Sequence, residues 1–199
     1  LIPADTVFDC HGPVTACHLW LHFTVSRPGG SIKAAPVVIP IDDPERSRRF
    51  RVDPFFQIHF AGGHDASDGV AVDLMAYPDS SALERNVAEI DRPPVCGVVT
   101  RIHIPRRGEE IRKQVLCDAA MEFCQIDPRW AGARQGHLWG LSVDASHRFA
   151  IVHVNHETGV EDCFWFPEGE FASEALFAPK GPAAAEGEET GDGDGEGVG

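Results

Sequence analysis

Apolar and polar residues alternate along much of this chain with a period of two, or cluster in short apolar runs. Both patterns predict strands. In Arg101-Ile102-His103-Ile104 every second residue is apolar, as in a strand with one face on a core. Phe149-Ala150-Ile151-Val152-His153-Val154 is almost continuously apolar, as in a strand covered on both faces. Runs rich in Val, Ile, Phe and Trp predict strands over 18–25, 36–40, 50–60, 70–76, 95–104, 110–116, 121–125, 137–143, 149–154 and 162–166. Gly, Pro and Asp clusters at 27–30, 65–69, 106–108 and 157–159 read as the turns between them. One segment, 80–90, is spaced as a helix. Leu83, Val87 and Ile90 share a face behind Ser80 or Ser81 as N-cap. Many short strands joined by tight turns predict an all-β sandwich, barrel or propeller.

Residues 181–199 break the pattern. They carry six acids, no base and one apolar residue larger than Ala. Such a stretch buries too little surface to offset chain entropy, so a disordered acidic Gly/Glu tail is expected after a body spanning 1–180. The whole chain has 31 acids against 17 bases, a net charge of −14. That excludes a nucleic-acid surface, and equally an anionic membrane face, because phosphates demand Lys and Arg. No apolar run approaches the ~20 residues of a spanning helix. No secretory signal pattern is present, and the compartment stays open between a plastid and the cytoplasm. The chain opens on Leu1 rather than Met, leaving room for residues before it. Six cysteines with no Cys-x-x-Cys read as free thiols in a reducing compartment. Ten histidines direct attention to metal or acid–base chemistry. Nucleophile-elbow, zincin, P-loop and dinucleotide motifs do not occur, which removes the commonest rival chemistries.

The chemistry concentrates around Phe55-Phe56-Gln57-Ile58-His59-Phe60, an aromatic strand holding one histidine. Ala61-Gly62-Gly63-His64-Asp65 follows, then Asp68-Gly69-Val70-Ala71-Val72-Asp73-Leu74-Met75-Ala76-Tyr77-Pro78-Asp79. Further on come Met121-Glu122-Phe123-Cys124-Gln125-Ile126-Asp127-Pro128, His137-Leu138-Trp139-Gly140 and Ser173-Glu174-Ala175-Leu176-Phe177-Ala178-Pro179. In this order and spacing, over roughly residues 5–180, the chain resembles the carotenoid oxygenase family. The likeness covers the C-terminal part of that family's fold.

The resemblance implies a partial seven-bladed β-propeller, about the second half of the ring, built of four-stranded blades. It implies Fe(2+) as cofactor, bound by four histidines with carboxylates behind three of them. A carboxylate on one ring nitrogen fixes the tautomer and frees the other nitrogen for the metal. Carried onto this chain, His59 is the iron ligand. Glu122 and Glu174 are the carboxylates behind the imidazoles. His11 is a further ligand, one place off the family's position when Thr15 is aligned. Other ligands fall outside the chain. Gly62-Gly63 and His64-Asp65 depart from the family's Asn-Ala and aromatic-Glu pairs, and His64 beside two glycines is expected on an exposed loop. The activity implied is a non-haem Fe(II) dioxygenase that cleaves a conjugated C=C bond of a carotenoid or apocarotenoid with O2 to two carbonyl products. Its partners are an apolar polyene and O2, with peripheral membrane contact left to segments beyond this chain. The alternative is a catalytically inactive propeller fragment without a complete iron site.

Overall fold

The computed structural model describes residues 7–8, 17–24, 33–40, 43–53, 55–79, 81–82, 85 and 94–188. Among the described residues eleven strands carry the fold, in two antiparallel sheets. The first holds β1 (Val7–Phe8), β2 (Cys17–Thr24), β3 (Lys33–Pro40) and β4 (Arg48–Arg49), paired in chain order. The second is one seven-stranded meander. It runs through β5 (Phe56–Ala66), β6 (Gly69–Tyr77), β7 (Gly97–Pro105), β8 (Arg112–Gln125), β9 (His137–Val143), β10 (Phe149–Asn155) and β11 (Val160–Trp165). Among the described residues, no helix is long and apolar enough to cross a membrane.

Antiparallel four-stranded blades were the expectation; β1–β4 and β5–β8 are four-stranded layers, and β8 makes the meander continuous into the next. The runs 110–116 and 121–125 form one 14-residue strand. Its first part pairs with β7, from His103↔Arg112 to Thr100↔Val115 and again at Val98↔Ala120 and Gly97↔Met121, with an irregularity in β8 between them. Its last part pairs with β9, at Glu122↔Leu141 and Gln125↔Trp139. One strand therefore closes the β5–β8 layer and opens the next.

Alternation along β6 sends side chains into two cores. Val72 and Leu74 join Phe50, Phe55, Ile102 and Ile104 on the side of the first sheet, where Val38 of β3 also packs. Met75 and Tyr77 join Phe56, Val99, Met121, Cys124, Leu138, Val152 and Val154 between the two halves of the meander. Leu74 and Met75 are fully buried. Burial of side chains this size is worth about 1.5–3 kcal/mol each. Gly140 makes the second core tight. A Cβ there would lie 2.6 Å from Met121 Sδ and 3.0 Å from Cys124 Sγ, so a side chain would push β9 off the segment that carries Glu122.

Two expectations change here. β5 does not stop at residue 60 but runs through Gly62-Gly63 to Ala66, and His64 is buried at 6% exposure instead of lying on a loop. Pairing with β6 from Gly62↔Asp73 to Ala66↔Gly69 absorbs the glycines into the sheet. Residues 181–188, expected to lie in the acidic tail, form turns against the body. The Arg129 guanidinium donates to the carbonyls of Gly181, Ala184 and Ala185, and Glu186 Oε1 accepts from the N–H groups of Gly136 and His137. Counting apolar area overlooked that an acid can satisfy exposed strand N–H groups. Residues 189–199 lie outside the described residues. Of the helix expected at 80–90, Ser81, Ala82 and Arg85 are described and helical, with the Ser81 N–H capped by Asp79 Oδ1 at 2.8 Å.

Candidate metal centre

His59 and Glu122 both sit where a strand is irregular. Between Gln57↔Ala76 and Phe60↔Leu74, β5 has one residue more than β6, which places His59 in a β-bulge. Between Glu122↔Leu141 and Gln125↔Trp139, β8 has one residue more than β9. A bulge bends its strand and re-aims the side chains beside it. On β8 the extra residue is accommodated by Phe123, at φ 53°. For a bulky non-glycine residue this left-handed conformation costs on the order of 1–2 kcal/mol.

The bulge also breaks the alternation that would put Met121 and Phe123 on one face. Met121 and Glu122 are both buried, whereas Phe123 is 37% exposed. The result is an enclosed carboxylate with three donors. His59 Nδ1 lies 2.8 Å from Glu122 Oε2. The Phe123 N–H donates to the same oxygen at 3.3 Å. The Tyr77 hydroxyl donates to Oε1. The Phe123 ring packs on the His59 ring with centroids 4.7 Å apart.

The Glu122 hydrogen bond holds the His59 pKa above its ordinary value, against partial burial, with smaller help from the charges of Glu122 and Glu174. Burial and the neighbouring carboxylate raise the Tyr77 phenol far above the ordinary range, so it stays a donor. Burial, then the charge of Glu122, pushes the Cys96 thiol up to about 11 and the Cys124 thiol well above its usual range.

With Nδ1–H donated to Glu122, the lone pair of His59 is on Nε2, and its side chain is 41% exposed. That is the donor state a divalent metal requires. This single corner fits an iron ligand, although among the described residues no group of three or more His, Cys, Asp or Glu could hold a metal ion. Glu174 is exposed and accepts from Gln125 Nε2 at 3.3 Å. It reaches His59 through its charge, and no hydrogen bond joins them. His11 lies outside the described residues. His64 belongs to a different environment, near Arg101, Asp73 and His156, where burial lowers its pKa.

Sequence reasoning assigned no role to Tyr77 or Phe123. Tyr77 stood in the quoted Tyr-Pro-Asp segment, and it is the one tyrosine of the chain. Nothing in the sequence marks the left-handed turn at Phe123.

An antiparallel β architecture with a carboxylate-backed imidazole in one corner defines a class, that of partial propellers. The profile of the family described as RPE65, retinal pigment epithelial membrane protein, matches residues 31–193. The chain therefore belongs to this family, that of the carotenoid oxygenases. The carotenoid isomerooxygenase of Galleria mellonella is 25% identical over 165 residues, covering 75% of this chain and 32% of that protein. Among solved structures, cobalt-substituted apocarotenoid oxygenase of Synechocystis superposes with a TM-score of 0.73 at 19% identity, over 92% of this chain and 43% of that one. The lignostilbene dioxygenase of Pseudomonas brassicacearum gives 0.67 at 21% identity, over 86% and 43%. These structures share the all-β fold. The chain spans about a third of its curated relative and less than half of the solved ones.

Proposed function

We propose that this chain forms part of a non-haem Fe(II) dioxygenase that cleaves a conjugated C=C bond of a carotenoid or apocarotenoid with O2 into two carbonyl products. The observation that carries the reading is the His59 Nδ1 to Glu122 Oε2 contact at 2.8 Å, in a chain of this family. When bound, Fe(II) would supply O2 activation. His59 would hold it through Nε2, with the remaining ligands contributed from outside the described residues.

The chain's own groups do the rest. Glu122 accepts a hydrogen bond from the Nδ1–H of His59, so the imidazole neither rotates nor exchanges tautomer. Phe123 covers one face of the ring and excludes water from that side. No general base is called for, in agreement with the lack of a catalytic-triad motif.

The test uses the full 199-residue chain. Anaerobic titration with Fe(II), followed by exposure to an apocarotenoid and O2, should yield two carbonyl fragments by mass spectrometry, and His59→Ala should yield none. Metal bound without cleavage supports the metal corner and assigns the rest of the activity to further segments. No binding at all favours the inactive-fragment alternative.

A further inference from the structure

Tyr77 occupies β6 directly opposite Phe56, in register across the β5–β6 pair. Its ring meets Phe56 at 6.3 Å and 54°. On the other side it lies against Gly97, where an added Cβ would come within 3.0 Å of Tyr77 Cε2. The ring is buried and packed on both sides, which leaves its hydroxyl one direction. That direction ends on Glu122 Oε1.

We propose that Tyr77 is the positioning residue of this metal corner. Its hydroxyl pins Oε1, so that the carboxylate presents Oε2 alone to His59, and the imidazole is held as the Nδ1–H tautomer. The inference rests on His59 acting as a metal ligand, as proposed above.

The physical argument is one of satisfied lone pairs. Glu122 is buried, so each oxygen must find donors inside the protein. Oε2 has two, from His59 and Phe123. For Oε1, the donor in place is the Tyr77 hydroxyl. Remove that hydroxyl and the carboxylate is free to rotate about its terminal torsion in search of another donor. The His59 ring then loses its fixed acceptor. Neutral imidazole in water exchanges its proton between nitrogens, and only one tautomer leaves Nε2 free for a metal. Tyr77, two strands from Glu122 in sheet order, thus acts on the metal through two hydrogen bonds and without touching it.

The test is made on the full chain without metal, which keeps it independent of whether iron binds. In chain labelled with 15N-histidine, the His59 ring, assigned by its loss in His59→Ala, should show the Nδ1–H tautomer. In Tyr77→Phe the two nitrogens should move toward averaged shifts, the signature of exchanging tautomers. A packing role alone would lower stability and leave the tautomer as it was. An unchanged tautomer in folded Tyr77→Phe overturns the proposal. If that variant does not fold, the wild-type chain still decides. With one tyrosine in the sequence, 13Cζ-tyrosine labelling yields a single resonance. A slowly exchanging hydroxyl proton coupled to it supports the bond, and rapid exchange with water overturns it. Co(II) titration separates the two readings. Failure of wild-type chain to bind Co(II) defeats the metal reading alone. Where it binds, Tyr77→Phe should weaken affinity about 10-fold, the scale of lost outer contacts at metal sites.

Discussion

His59 and Glu122 are 63 residues apart and meet at 2.8 Å because each lies at a β-bulge, one on β5 and one on β8. Regular strands would have continued the alternation and sent Glu122 away from the face of Met121. The register irregularities re-aim both side chains into one corner, and the left-handed turn at Phe123 is the local cost.

Glu122→Gln keeps the shape of the side chain and removes its charge. Co(II) affinity of the full chain should fall about 10- to 100-fold, because the ligand imidazole loses its charged acceptor. Absorption titration reads the change directly. Affinity equal to wild type would show that Glu122 does not support a metal ligand.

Metal binding should strengthen as pH rises through the His59 titration. The folded pKa of His59 lies above the ordinary 6.5, so at about pH 6 the ring is mostly protonated and a metal must displace that proton. The same shift works on stability in the opposite sense. The His59–Glu122 pair stabilises the fold fully below the unfolded-state pKa, and this contribution fades as pH climbs past the folded one. Co(II) titrations at about pH 6 and about pH 8 should therefore differ, with the tighter binding at the higher pH. Equal affinities would contradict the assignment of His59 as ligand.

Asp73 and Arg101 form a bidentate pair, Nε to Oδ1 and the guanidinium NH2 to Oδ2, both at 2.7 Å, with the Asp73 side chain almost wholly enclosed. Asp73→Ala leaves the guanidinium without its carboxylate and should cost about 3–5 kcal/mol in urea unfolding. A loss below about 1 kcal/mol, the scale of a surface pair, would show that water reaches the site.

Alkylation should discriminate among the thiols. Cys163 is exposed, whereas Cys117 and Cys124 are buried and Cys96 is half-buried with its thiol pushed up to about 11. Iodoacetamide at neutral pH should label Cys163 well before these three, as followed by peptide mass mapping. Early labelling of Cys124 would mean that the core around Gly140 opens readily.

Glu186 caps two backbone N–H groups, those of Gly136 and His137, from the C-terminal segment. Glu186→Ala should speed hydrogen exchange at those amides while leaving the amides of β6 and β7 protected. Unchanged exchange at Gly136 and His137 would show that the docked turns are dispensable.

Period-two patterning and turn residues were enough to read most strands. The run 137–143 coincides with β9, and 70–76 and 149–154 fall within a residue or so of β6 and β10. These strands bury residues of one type per face, so the pattern and the structure express the same constraint. The family motifs, read in order, led to His59, Glu122 and the all-β propeller class. Gly62-Gly63 looked like a loop because local propensity does not favour it as strand, and pairing with β6 overrides that preference. The break between the runs 110–116 and 121–125 falls where β8 loses register with β7, between Thr100↔Val115 and Val98↔Ala120, although the strand continues through it.

The sequence by itself determined the period-two chemistry, the family, and which histidine and carboxylate are worth bringing together. Those properties are local or ordered along the chain. The tertiary structure alone decided how the two meet. Bulges, a positive φ at Phe123 and the convergence of β5, β6 and β8 on one carboxylate depend on register between distant strands, and a one-residue slip moves every side chain to the other face. Tyr77 is the clearest instance. In the sequence it is an aromatic at the end of a strand, and only the packing of Phe56 and Gly97 around it turns its hydroxyl onto Glu122.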